Sequence, residues 1–134
     1  MTTSSVKYLG SLRTEATHLK SGNQLITDAP TDNHGRGEAF SPTDLVATGL
    51  ASCMISIMGI QANTSQINLG DIQAEVTKIM GSNPRKITEI IVAIYFKNHR
   101  FTDREKKILE NAAKTCPVAL SLDPTIQQHV TFHY

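Results

Sequence analysis

No segment of this chain carries an excess of one charge. Its 13 basic residues stand against 12 acidic ones, a formal net charge of +1, and the densest cluster is the short DREKK at 103–107. That leaves no electrostatic footprint for nucleic acid and no basic amphipathic anchor for a membrane. Low-complexity tracts are missing too. With 40% apolar and 19% charged residues, the 134 positions have the composition of one folded domain, expected to span residues 1–134 with its own core. The longest apolar stretch, Leu45 to Ile60, is broken by Thr48, Ser52 and Ser56 and is expected to fall short of a bilayer span. The opening MTTSSVKYLG lacks the charged-then-apolar order of a signal peptide, so the expected location is cytoplasmic. No GxSxG, phosphate loop or dinucleotide fingerprint occurs, which removes the commonest hydrolase and nucleotide chemistries. Cysteine is scarce. Cys53 and Cys116 are the whole supply, and in a reducing compartment they make a poor permanent staple. Either a transient, catalytic pair or two buried thiols remains.

What is present alternates between two periodicities. VKYLGSLRTEATH, from Val6, puts Val6, Tyr8, Gly10 and Leu12 on one face, as a half-buried strand does, and LITDAP at 25–30 adds a second short strand after the turn at 20–24. The N-terminal quarter is thus a hairpin or small meander. Residues 31–40, TDNHGRGEAF, have no period and read as a surface loop. Ser41 as N-cap, Pro42 at the first helical position and Asp44 as the capping acid then start a helix that runs to about Ala62 or Asn63. Its expected buried stripe is Val46, Leu50, Cys53, Ile57 and Ile60, broadened by Leu45, Gly49 and Met58. Two β-branched runs follow at 71–80 and 87–96, then a helix opening at Thr102 or Asp103. Pro117 ends that helix and starts a shorter one, and IQQHVTFHY closes the chain as a strand. The order indicates an α+β fold with antiparallel sheet.

Cys53 lies on an apolar stripe, where packing is a sufficient explanation for a cysteine. Cys116 differs, because it immediately precedes Pro117 at a helix start, where backbone N–H groups favour a thiolate. His18, His34, His99, His129 and His133 are scattered, and the last two share the solvent face of a strand, so they read as solvated rather than as zinc ligands. Asp44 has a capping role that accounts for it, and also the chemistry of a general base. Glu38 sits in the loop without such an explanation. Arg13, on a strand, and Arg36, in the glycine-flanked loop, are the cations available to a thiolate, unless both are plain surface.

FSPTDLVATGLASCM, followed by a β-hairpin and then AAKTCPVALSL, resembles the OsmC/Ohr family, the osmotically induced and organic hydroperoxide resistance proteins. The resemblance covers nearly the whole chain and rests on a Pro-led helix bearing a cysteine and a Cys-Pro-Val opening a helix 63 positions later. It implies antiparallel sheets around a central cysteine-bearing helix, in an intertwined homodimer with its sites at the interface. It implies also a peroxidase that needs no metal, flavin or haem. Cys53 would attack an organic hydroperoxide, Cys116 would resolve the sulfenic acid, and a small or protein dithiol would return the electrons. The alternative within the same fold is a non-catalytic dimer that binds a small hydrophobic molecule. A buried Cys53 needs a cation to become nucleophilic. The well-studied branches of the family pair that arginine with a glutamate at the start of the cysteine helix, ten positions before the cysteine, and the lack of one here implies a less characterised branch. Here that position is Thr43, and Asp44 beside it is turned by about 100° on a helix. The activating guanidinium is therefore expected to be held less firmly.

Overall fold

The computed structural model describes residues 1–97 and 100–134. It divides into two compact units, residues 1–46 and 47–134.

The first unit is a three-stranded antiparallel meander of β1 (Ser4–Gly10), β2 (Arg13–His18) and β3 (Gln24–Asp28), in the order β1-β2-β3. The expected single strand from Val6 to His18 is therefore two. The chain reverses at Ser11 and Leu12, which take φ of 54° and 63°. Such left-handed pairs suit the twist of a tight hairpin turn, but Ser-Leu lacks the Asn-Gly chemistry that announces one. After β3 the loop folds back on its own start, with the Gly37 N–H donating to the Ala29 carbonyl at 3.1 Å. Gly35 permits this closure, since a Cβ there would lie 1.7 Å from the same oxygen. Ser41 then caps α1 (Pro42–Thr64) reciprocally. Its hydroxyl accepts the Asp44 N–H at 3.0 Å, and Asp44 Oδ2 accepts the Ser41 N–H at 3.0 Å.

From Ala47 onward α1 belongs to the second unit. That unit adds β4 (Ile72–Gly81), β5 (Lys86–Phe96), α2 (Asp103–Lys114), α3 (Pro117–Ser121) and β6 (Gln127–His133). β4 and β5 form the expected hairpin, with Val76 opposite Val92. β6 departs from the expected antiparallel order and runs parallel to β5, with Val130 opposite Val92. The reason is connectivity: α2 and α3 lie between the two strands and carry the chain back before β6 begins, as a parallel pair requires. Thr102 caps α2 in a full capping box with Glu105.

The core of this unit joins Leu50, Met54 and Met58 of α1 to Ile90, Val92 and Ile94 of β5 and Leu109 of α2. The buried stripe of α1 is Ala47, Leu50, Ala51, Met54, Met58 and Ala62. Of the expected stripe only Leu50 and Met58 are fully buried; Cys53 and Ile57 are half-buried, and Val46 and Ile60 are exposed. A helix apolar on most of its circumference has no periodic contrast to set its rotation, and the alanines permit the closest approach. The same uniformity overturns the expectation that the apolar run is too short for a bilayer. α1 has 23 residues and an 18-residue window of mean hydropathy 1.7, enough by length and composition to cross a membrane, although a third of that window is buried inside the protein.

Candidate functional site

Polar chemistry in the first unit gathers around one carboxylate. Asp28 is fully buried at the end of β3, directly opposite Arg13 in the β2–β3 register. Arg13 grips it with both prongs, Nε to Oδ1 at 2.7 Å and Nη2 to Oδ2 at 2.8 Å. The Glu38 N–H donates to Oδ2 at 3.1 Å. A two-pronged, charge-assisted pair of this kind fixes the guanidinium plane as well as its position. Asp28, not a residue at position 43, therefore anchors Arg13. Arg13 keeps about a quarter of its side-chain surface exposed (27%). The Glu38 carboxylate lies 4.0 Å from Nη2 and is itself exposed. Arg36 is exposed in the loop, and its charge also favours the ionised Asp28. Asp44 uses a carboxylate oxygen to cap α1.

The second unit holds both thiols. Cys53 is half-buried near the middle of α1, and Cys116 is fully buried at the N-cap of α3. Cys116 takes an extended backbone there, Pro117 follows, and the sulfur accepts the Ala119 N–H at 3.4 Å. A helix start was expected to make this thiol acidic. Instead burial pushes the Cys116 pKa up, the amides of Ala119 and Val118 offset only part of that, and the Cys53 side chain adds to the rise by hydrogen bonding and charge. Cys116 therefore holds its proton above the ordinary thiol range. Cys53 lies near enough to Cys116 to act on its proton, and Cys53 is the more accessible of the two.

The histidines stay outside this arrangement. His129 and His133 lie on the exposed face of β6, His133 stacked on Tyr95 with ring centroids 4.7 Å apart, and His18 bonds Ser21. His34 lies exposed in the loop, and His99 falls outside the described residues. Among the described residues no group of three or more His, Cys, Asp or Glu side chains is arranged to hold a metal. Asp28 was missed by sequence reasoning because LITDAP looks like a strand running into a turn. The available signal was an acid two positions after Ile26 on a strand, but its partner becomes visible only once the register sets Arg13 against it.

A half-exposed thiol on a long core helix, with a second, proton-retaining thiol at the start of a short helix beside it, defines a two-cysteine α+β protein. The chain belongs to the OsmC-like family: the family model described as OsmC-like protein matches residues 35–130. A protein of Psychrobacter arcticus 273-4, provisionally assigned as an osmotic stress induced and detoxification response protein, shares 54% identity. Their structures superpose with a TM-score of 0.95, over 99% of this chain and 96% of that one. The organic hydroperoxide resistance protein OsmC of Legionella pneumophila has the same fold at 19% identity, TM-score 0.76, over 100% of this chain and 98% of its own. So does an organic hydroperoxide resistance protein of Elizabethkingia anophelis, at 16% identity and TM-score 0.76, over 99% and 96%. No functionally curated protein matches the chain.

The anchoring of Arg13 has a pH signature. The hydrogen bonds from Arg13, more than its charge, hold Asp28 below the usual carboxylate range against the opposing effect of burial. A folded-state pKa below the unfolded one stabilises the fold fully above about pH 4, and the contribution is lost as pH falls through the depressed folded value. Asp28→Asn is expected to lower stability at neutral pH and to flatten its dependence on acid below about pH 4. Denaturant unfolding followed by circular dichroism across that range checks this, and parallel acid profiles for the two proteins would refute it.

Proposed function

We propose that this protein is a thiol-dependent peroxidase that reduces organic hydroperoxides in peroxide-stress defence. The observation that carries the reading is the pairing of a half-exposed Cys53 with a buried, proton-retaining Cys116 in one unit. Family membership and the naming of the Legionella and Elizabethkingia proteins as organic hydroperoxide resistance proteins support the same role.

In the first step the Cys53 thiolate attacks the terminal peroxide oxygen, the O–O bond breaks, and the departing alkoxide takes a proton to become an alcohol. Cys53 is left as a sulfenic acid. The Cys116 sulfur then attacks the Cys53 sulfur, forming an S–S bond. Hydroxide leaves and takes the Cys116 proton as water. A dithiol, small or protein-borne, returns two electrons by disulfide exchange. A resolving thiol that stays protonated and buried suits this order, because it is spared from peroxide until the sulfenic acid forms. The cation proposed to favour a Cys53 thiolate is Arg13, whose guanidinium Asp28 orients. The loop-borne Arg36 is not proposed for that role.

The working unit is proposed to be a homodimer. Each unit leaves large apolar side chains in water, Val6 at 66% exposure on the meander and Ile60 at 61% on α1, and a second copy would cover such surface.

Cys53→Ser is expected to abolish hydroperoxide consumption, while Cys116→Ser completes one turnover and stalls as a sulfenic acid that a dimedone probe traps. The reverse pattern, with Cys53→Ser still giving the first turnover, would exchange the roles. For the cation, the rate of iodoacetamide labelling of Cys53 is followed in a Cys116→Ser background from about pH 5 to about pH 10. Arg13→Met should move the midpoint upward, and Arg36→Met should leave it in place. Coincident profiles for all three proteins would mean that neither arginine activates the thiol. Sedimentation at micromolar concentration should give a species of twice the chain mass; a 14.7 kDa species alone would remove the dimer.

A further inference from the structure

The last turn of α2 carries a cation whose usual helical partner is engaged elsewhere. Glu110 precedes Lys114 by four residues, the spacing at which a glutamate and a lysine pair along a helix. Here Glu110 Oε2 instead accepts the Tyr134 hydroxyl at 2.6 Å, and burial, together with that bond, raises the Tyr134 pKa well above its usual range. Among the described residues Lys114 has no carboxylate partner. Its ammonium lies 5.9 Å from the Phe132 ring centroid, at a cleft of about 250 Å³ lined by Met54, Lys114, Gln128 and Val130. Gln128 is fixed there by its amide, which donates to the Ala119 carbonyl at 3.0 Å.

The chemistry of this lining is specific. Val130 supplies apolar wall above a floor closed by the fully buried Met54, Lys114 supplies one positive charge at the rim, and none of the four residues is acidic. The volume amounts to on the order of eight water-sized groups, room for a small organic molecule. The cleft also adjoins both cysteine-bearing segments: Met54 is the residue after Cys53, and Lys114 is two residues before Cys116.

We propose that this cleft binds a small organic molecule through a carboxylate held by Lys114, with a short aliphatic body against Val130. Its catalytic meaning rests on the peroxidase reading above. Two reactants of that cycle could bring the same head group, a carboxylate-bearing hydroperoxide or a carboxylate-bearing thiol that reduces the disulfide.

The test begins with binding, which needs no turnover. Octanoate and the neutral octanol are titrated calorimetrically into the full chain and into its Lys114→Gln and Lys114→Arg variants at low salt. Octanoate should bind wild type about fivefold more tightly than Lys114→Gln, a partly exposed charge pair being worth no more than that, and Lys114→Arg should retain most of the difference. Octanol should not distinguish the proteins, and added salt should erase the octanoate preference. Equal octanoate affinity for wild type and Lys114→Gln overturns the proposal.

The source of the carboxylate is read from two kinetic ratios. One compares KM for a short-chain hydroperoxy acid with that for its methyl ester; the other compares reduction of the oxidised protein by 3-mercaptopropionate and by its methyl ester. A preference for the acid that Lys114→Gln abolishes assigns the cleft to whichever reactant shows it. Charge-dependent octanoate binding with neither ratio altered overturns the assignment to the thiol cycle. If wild type reduces no hydroperoxide at all, even neutral cumene hydroperoxide, the peroxidase reading fails, while the octanoate titrations still decide the binding site.

Discussion

Parallel pairing of β6 with β5 is the constraint on which the second unit depends. A hairpin cannot join parallel strands, so the chain must travel back along the sheet before β6 can begin. α2 and α3 make that return. The break between them, set by Pro117, is where Cys116 sits, and the return path brings that residue into the same core cluster as α1. The placement of two cysteines 63 positions apart around one core thus follows from strand direction. Had β6 joined β5 through a tight turn, no segment would have been available to bring a second sulfur to the core helix.

The first unit solves a different problem, how to keep a guanidinium in one orientation on a small, water-exposed sheet. Bidentate pairing with a buried carboxylate does so at the cost of desolvating Asp28. Three N–H donors offset that cost, two from Arg13 and one from the Glu38 backbone. The loop from Thr31 to Phe40 participates through its backbone, which turns a glycine-containing surface segment into part of the cradle.

Sequence reading located the elements better than it located their faces. Capping at Ser41 and Thr102, and the stop at Pro117, are written in adjacent residues and were legible. So was the α+β order. The rotation of α1 was not, because a helix that is apolar nearly all round offers no contrast between Ile60, which is exposed, and Met54, which is buried. The direction of β6 was equally hidden, since alternation sets a strand's faces and says nothing of its neighbour's direction. At the site, both cysteines were recognisable from their contexts, while Asp28 was not, being defined by a cross-strand partner 15 positions away. The protonation of Cys116 was misjudged for a related reason: the helix start is local and visible, whereas the depth of burial that outweighs it is a property of the whole core.

The sulfur of Cys116 also serves as the cap of α3, accepting the Ala119 amide at the head of a helix only five residues long. The first turn of that helix is thus tied to a thiol where a hydroxyl or a carboxylate commonly does the work. Sulfur is a weak acceptor, so the head of α3 is fastened by one of the softer clasps that a side chain can offer.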